Sequence, residues 1–260
     1  MQDYSKELER GREIAREAGR IALRHQQRGI GFESKPDASP VTEADRECER
    51  FIAAALAEAF PDDGLLGEEG AARESRSGRR WIIDPIDGTR DFVRGNPNWA
   101  VLIGLESEGE VAAGFAHFPA RDELYWAAAG AGAYRNGARM RVSSIDQRPN
   151  AVLCVNGFST VLAQPFAGGL LEWLAGFWAV RSLGGCLDAM MLAQGQADLW
   201  LESCAQPWDL AALKVIAEEA GAVFFDLAGR RTIYGGSCVI AAPGLEREAR
   251  RFLCAERGAR

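Results

Sequence analysis

The chain has 260 residues, 47% of them hydrophobic and 26% charged, with a formal net charge of −7. That size and balance suit a globular protein with one large core or two smaller ones, and exclude a long disordered tract. The acidic excess argues against a nucleic-acid partner held through phosphate contacts, and no apolar stretch approaches the roughly 18 residues that a membrane span needs.

Taken in chain order, residues 4–27 place Leu8, Ile14, Ala15, Ala18, Ile21 and Ala22 at an approximately helical period with charges opposite, predicting a surface helix. Residues 1–20 are densely charged and lack the apolar centre of a signal peptide. A loop is expected over 35–40, then a second helix over 42–60. Thr42 is its candidate N-cap, and Asp45, three residues on, makes a short-chain variant of the capping box. Pro61-Asp62-Asp63-Gly64 stops that helix. Gly64-Leu65-Leu66-Gly67 reads as a short strand ending in a loop at Glu68-Glu69. Trp81-Ile82-Ile83 reads as a strand that Pro85 ends, and a helix begins at Arg90-Asp91-Phe92. Residues 99–105, 111–118 and 124–128 form an antiparallel meander. Beyond it, strands at 151–155, 178–181 and 197–202 alternate with helices around 160–175, 186–194 and 207–219, the pattern of an α/β layer. No linker or repeat separates the halves, so a division into 1–145 and 146–260 implies two tightly packed subdomains.

The six cysteines, at 48, 154, 186, 204, 238 and 254, show no C-x-x-C pair and no zinc spacing, which reads as reduced thiols in a cytoplasmic protein. His25 and His117 stand in no nucleophile-elbow context, so a Ser-His-Asp hydrolase or a histidine-rich zinc site is a poor reading.

Chemistry concentrates in Trp81-Ile82-Ile83-Asp84-Pro85-Ile86-Asp87-Gly88-Thr89. An apolar strand delivers two carboxylates, Asp84 and Asp87, to a stiff corner, and a Gly-Thr step can then turn backbone N–H groups toward an anion. Hard oxygen donors of this kind suit Mg²⁺ or Mn²⁺ holding a phosphate. Asp-Pro and Asp-Gly are also ordinary turn formers, and either alone would be read as structure. Taken alone, Asp45 reads as a helix cap, Glu68-Glu69 as a solvated edge, Asp209 as an acid in a helix first turn and Cys186 as a small buried hydrophobe.

Asp84-Pro85-Ile86-Asp87-Gly88-Thr89, with Gly67-Glu68-Glu69 upstream and Trp208-Asp209 downstream, resembles the inositol monophosphatase family of Mg²⁺-dependent, lithium-sensitive phosphatases. The likeness extends from the helical N-terminus through Ser39-Pro40-Val41-Thr42-Glu43-Ala44-Asp45 to Ala217-Glu218-Glu219-Ala220-Gly221. It implies an α-β-α-β-α layered sandwich, with the main metal site in the first half and the specificity residues in the second. Glu68, Asp84, Asp87, the carbonyl of Ile86 and Asp209 become metal ligands for two or three Mg²⁺ ions, with Mn²⁺ a possible substitute and Glu69 outside the ligand set. Gly88 and Thr89 become the phosphate seat. Asp45 becomes the acid that pairs with the Thr89 hydroxyl, and the Thr89–Glu68 side activates the attacking water. A homodimer is expected on the same ground.

The resemblance places the substrate's organic part against Gly184, Gly185 and Cys186 and beside Glu202, seven residues before Asp209. Glu202 could accept hydrogen bonds from hydroxyls or pair with an amine. The motifs around Ser39, Phe92 and Trp208 look most like the histidinol-phosphate phosphatase branch, so L-histidinol phosphate leads and myo-inositol 1-phosphate follows. That branch often carries an acid shortly after the Arg-Ser turn to face the substrate's ammonium, and this chain departs from it, with Gly185 there and Asp188 three positions later as the acid offered. A fructose-bisphosphatase would want a basic cluster for its second phosphate, and a 3'-phosphoadenosine phosphatase an adenine pocket. A catalytically inactive Mg²⁺-binding regulator is the reading from outside the enzymes.

Overall fold

The computed structural model describes residues 3–28, 32–34 and 40–254, so most of the loop expected at 35–40, with Ser39, lies outside the described residues. Two helices, α1 (Ser5–Arg28) and α2 (Glu43–Ala59), cover one face of an eight-stranded sheet. A short antiparallel ribbon, β1 (Phe32–Ser34) and β2 (Pro40–Thr42), lies between them in the chain. The large sheet runs β10 (Ala138–Arg139), β9 (Gly132–Arg135), β8 (Glu123–Ala128), β7 (Glu110–Phe118), β6 (Ala100–Ser107), β5 (Arg79–Asp87), β3 (Gly64–Gly67), β4 (Ala72–Arg73). All its neighbours are antiparallel except β3 and β5.

Its other face packs on α6 (Gly185–Ala193) and α7 (Pro207–Glu219). Beyond these lies a five-stranded sheet ordered β12 (Ala179–Arg181), β11 (Val152–Asn156), β13 (Leu199–Glu202), β15 (Cys238–Ala241), β14 (Val223–Phe225). On its far side are α4 (Phe158–Val161), α5 (Ala167–Ala175) and α8 (Glu246–Leu253). The layers are therefore α-β-α-β-α, as the family resemblance implied. Both faces of the large sheet are buried, which explains its continuous apolar strands: along β6, Val101, Ile103 and Leu105 face α1 and α2, while Ala100 and Leu102 face α6 and α7. No described helix is long and apolar enough to cross a membrane.

Two expectations are corrected. Pro85 does not end its strand: Asp84 pairs with Leu102 and Asp87 with Ala100, so β5 carries one extra residue across that step and continues through a bulge. A bulge is where a sheet tolerates a residue without an N–H. The helix expected over 160–175 is two, α4 and α5, because Pro165 falls where it would have to donate within a continuous helix.

The seating of α7 positions the site. Gly104 on β6 pairs with Gly114 on β7, leaving two adjacent positions of the sheet without side chains. A Cβ at Gly104 would stand 2.6 Å from the Cβ of Ala211, and one at Gly114 2.9 Å from Cα and O of Ala212. Helix α7 thus rests on the sheet backbone with its first turn beside β5. Replacing Gly114 with Ala should cost about 1–3 kcal/mol by overpacking, read as a lower denaturant midpoint; an unchanged midpoint would show that α7 shifts without penalty.

Candidate active site

The bulge in β5 turns Asp84 inward, where it is buried and its Oδ1 accepts the Ile86 N–H at 3.0 Å. Asp87 follows at the rim. Gly88 then adopts φ 86°, a left-handed conformation that a side chain would resist, and a Cβ there would also meet the Asn98 carbonyl at 3.1 Å. That turn launches α3 (Thr89–Val93), a helix of only five residues, so an anion at its start would meet a few local N–H groups and no long macrodipole.

Asp209 arrives from the first turn of α7, where its Oδ2 accepts the Gln206 N–H at 2.7 Å in a capping box. Single carboxylate oxygens of Asp84, Asp87 and Asp209 lie within 4.8 Å of one another. Glu68 reaches the same place because β3 runs parallel to β5: Gly67 pairs with Ile83, and the Glu68 N–H donates to the Ile83 carbonyl at 3.1 Å.

The loop that carries Glu68 is shaped by a residue that the sequence analysis passed over. Glu49, buried on α2, accepts the N–H groups of Glu69 and Ala71, each at 2.8 Å. Gly67 must lack a side chain, since a Cβ there would stand 2.5 Å from the Glu49 carboxyl. A signal existed: Asp45, Glu49, Ile52 and Leu56 share one buried helical stripe, and acids on such a stripe need partners.

Burial and mutual repulsion raise these acids. Asp84 is pushed well above the usual carboxylate range by desolvation, then by Glu68, Asp87 and Asp209. Desolvation lifts Asp87 to about 6 against hydrogen bonds from the Cys186 thiol and N–H. Asp209 rises to about 7 through desolvation and then the charge of Asp87. No Lys or Arg pairs with Asp84, Asp87 or Asp209 among the described residues. A close set of hard oxygens, with Asp84 buried and Asp87 and Asp209 half-buried and unpaired by any described Lys or Arg, fits a divalent metal ion, and these three with Glu68 would hold it.

A cavity of about 550 Å³ opens beside the cluster, lined by Asp87 and Asp209 at one side and by Gly185, Cys186 and Glu202 at another. Glu202 is raised to about 8 by burial and then by Asp87. Its carboxylate fills the space beside Gly157, where a Cβ would stand 2.9 Å from Oε1. Gly184 and Leu183 form the adjoining turn, tied to Asn98, whose Nδ2 donates to the Leu183 carbonyl at 3.1 Å.

Two sequence expectations fail in the geometry. Asp188 does not face the cavity: it is fully buried and accepts from Asn156 Nδ2 at 3.0 Å and from the Leu183 N–H at 3.1 Å, holding the 182–184 turn from inside. Asp45 is not paired with Thr89. Its Oδ2 accepts the Thr42 N–H at 2.7 Å and hydroxyl at 2.5 Å, closing the capping box, while the Thr89 hydroxyl donates to the Ile86 carbonyl at 3.1 Å. The local cap wins because Thr42 is three residues away on the same helix start. The other oxygen of Asp45 is buried without a partner, and burial lifts the group to about 6. Both histidines are structural: His25 bonds Glu47 at 2.6 Å and His117 the Ala15 carbonyl at 2.9 Å. All six cysteines are free thiols, and Cys204 is exposed.

Residues 3–259 match the family model described as the inositol monophosphatase family. The chain belongs to that family. A histidinol-phosphatase from Chlorobaculum parvum is 40% identical over 237 residues, 91% of this chain and 92% of its own. An inositol-1-monophosphatase from Mesorhizobium japonicum is 35% identical over 241 residues, 90% of this chain and 87% of its own. Among solved structures, the extragenic suppressor protein suhB from Bartonella henselae superposes with a TM-score of 0.88 at 31% identity, covering 98% of this chain and 100% of that one. This is a metal-dependent family, and the carboxylate cluster is where its cation fits.

The raised acids make the metal-free fold sensitive to pH. Asp87 and Asp209, at about 6 and 7, hold protons that the unfolded chain releases near pH 4. Their contribution to stability is present below about pH 4 and is lost as pH rises through about 6 to 7. A divalent cation competes with those protons, so the rise in unfolding midpoint on adding it should be small near pH 5 and large near pH 8; equal shifts at both would contradict the cluster's assignment.

Proposed function

We propose that this phosphoric monoester hydrolase converts L-histidinol phosphate into L-histidinol and phosphate with Mg²⁺. The observation that carries the reading is Glu202, a carboxylate in the cavity wall within the electrostatic reach of Asp87 and Asp209. An ammonium approaching Glu202 finds an acid whose charged form is otherwise disfavoured, and the pairing restores that charge. The likeness to a histidinol-phosphatase supports the same substrate.

The protein's residues divide the work as follows. Asp84, Asp87, Asp209 and Glu68 would hold the metal, with the Ile86 carbonyl as the backbone donor. The bound ions supply positive charge for the phosphate and acidify water. Gly88 and Thr89 present N–H groups to phosphate oxygens, at a step where no side chain blocks approach. The Glu68 carboxylate would take up the proton of the attacking water, while the Thr89 hydroxyl, its own hydrogen held by the Ile86 carbonyl, offers a lone pair that orients that water. Asp45 lends negative charge from beneath this side, and Cys186 fixes the Asp87 carboxylate through its thiol and N–H. Asp188 and Asn156 keep the 182–184 turn in place as a wall for the alcohol. The homodimer expected of the family has a candidate face beside edge strand β12, where Trp178, just before the strand, stands 74% exposed.

Asn156, Ser159 and Thr160 also line the cavity, and these hydroxyl-binding groups favour myo-inositol 1-phosphate as the second reading. With Mg²⁺, kcat/KM for histidinol phosphate should exceed that for inositol phosphate by about tenfold or more, and Glu202→Gln should remove most of the difference. A higher value for inositol phosphate would overturn the substrate. If wild type hydrolyses p-nitrophenyl phosphate and Asp87→Asn does not, the inactive regulator is excluded.

A further inference from the structure

One guanidinium shares the cavity with three carboxylates. Arg90, the second residue of α3, lines it together with Asp87, Glu202 and Asp209, and is the single basic residue among the described residues that does so. Its side chain is exposed and makes no hydrogen bond or ion pair with any described residue. Arg79, by contrast, is held between Glu7 and Asp63, and Arg135 is held by Glu123. The nearest acid in sequence, Asp91, is engaged by Asn96 Nδ2 at 2.8 Å and turns toward Gly184. Arg90 is thus a cation held in an acidic cavity and left without an internal partner.

We propose that Arg90 binds the phosphate dianion of the substrate from the cavity side and sets the affinity for it. The inference rests on the phosphate seat proposed at Gly88 and Thr89, immediately before Arg90 in the chain. A planar guanidinium can give two parallel N–H bonds to phosphate oxygens that do not face the carboxylate cluster. It also answers a problem that the charge balance poses. A chain of net charge −7, with three carboxylates in one cavity, repels an incoming dianion, and a local cation at the entrance lowers that barrier.

The test uses the Mg²⁺-loaded protein with p-nitrophenyl phosphate as substrate and inorganic phosphate as competitive inhibitor. In Arg90→Ala, KM and the inhibition constant for phosphate should both rise about tenfold, with kcat within about twofold of wild type. Arg90→Lys should recover most of the loss, and the Ala variant should lose part of the salt dependence of kcat/KM. An Ala variant with unchanged KM and unchanged phosphate inhibition overturns the proposal, as does a fall in kcat alone. Because neither probe contains histidinol, a wild type that turns over p-nitrophenyl phosphate but rejects histidinol phosphate removes the substrate reading and leaves the Arg90 result intact.

Discussion

Repulsion among closely set carboxylates, one buried and three half-buried, is the constraint around which this molecule is arranged. Asp84, Asp87 and Asp209 bring oxygens within 4.8 Å of one another, and Glu68 adds its charge to all three. No fold gains stability from such a cluster alone, since each acid loses hydration and faces like charge. A divalent cation held by these acids would reverse the sign of that cost, so that what disfavours the metal-free state would become attraction for the ion.

The scaffold prevents the acids from moving apart. Two are tied to backbone in their own elements, Asp84 by the Ile86 N–H within the β5 bulge and Asp209 by the Gln206 N–H in the α7 cap, and Glu68 is carried by a loop that Glu49 holds. These ties would fail if the elements could separate. Gly104 and Gly114 let α7 rest on the large sheet, and the parallel pairing of β3 with β5 sets Glu68 beside Asp84. Such contacts are packing against backbone, which a small core shift cannot relieve.

Much of this could be read in the sequence, and the limits have physical causes. The strand at Trp81–Ile83, the α2 capping box and the α7 first turn are local patterns, and each appears where its residues suggested. The continuation of β5 past Pro85 was not readable, because a bulge depends on the register of β6, which lies elsewhere in the chain. Short strands such as β9 and β14 carry too few residues to show a period and exist through their neighbours. Among the site residues, Asp45 and Asp188 mark the boundary most clearly. Both are acids near the right segments, yet the structure turns Asp188 inward onto Asn156 and Leu183 and gives Asp45 to Thr42. Sequence proximity names the acid, but only tertiary geometry says which way the carboxylate points.

The most direct test of the account is the unfolding midpoint of Asp84→Asn near pH 8, measured with and without excess Mg²⁺. Asparagine keeps an oxygen for the Ile86 N–H while removing one charge from the cluster. Without metal the variant should be more stable than wild type, and with metal it should gain little where wild type gains much. A variant that is less stable than wild type without metal, yet stabilised by Mg²⁺ as strongly, would contradict the claim that repulsion among these carboxylates is what the cation relieves.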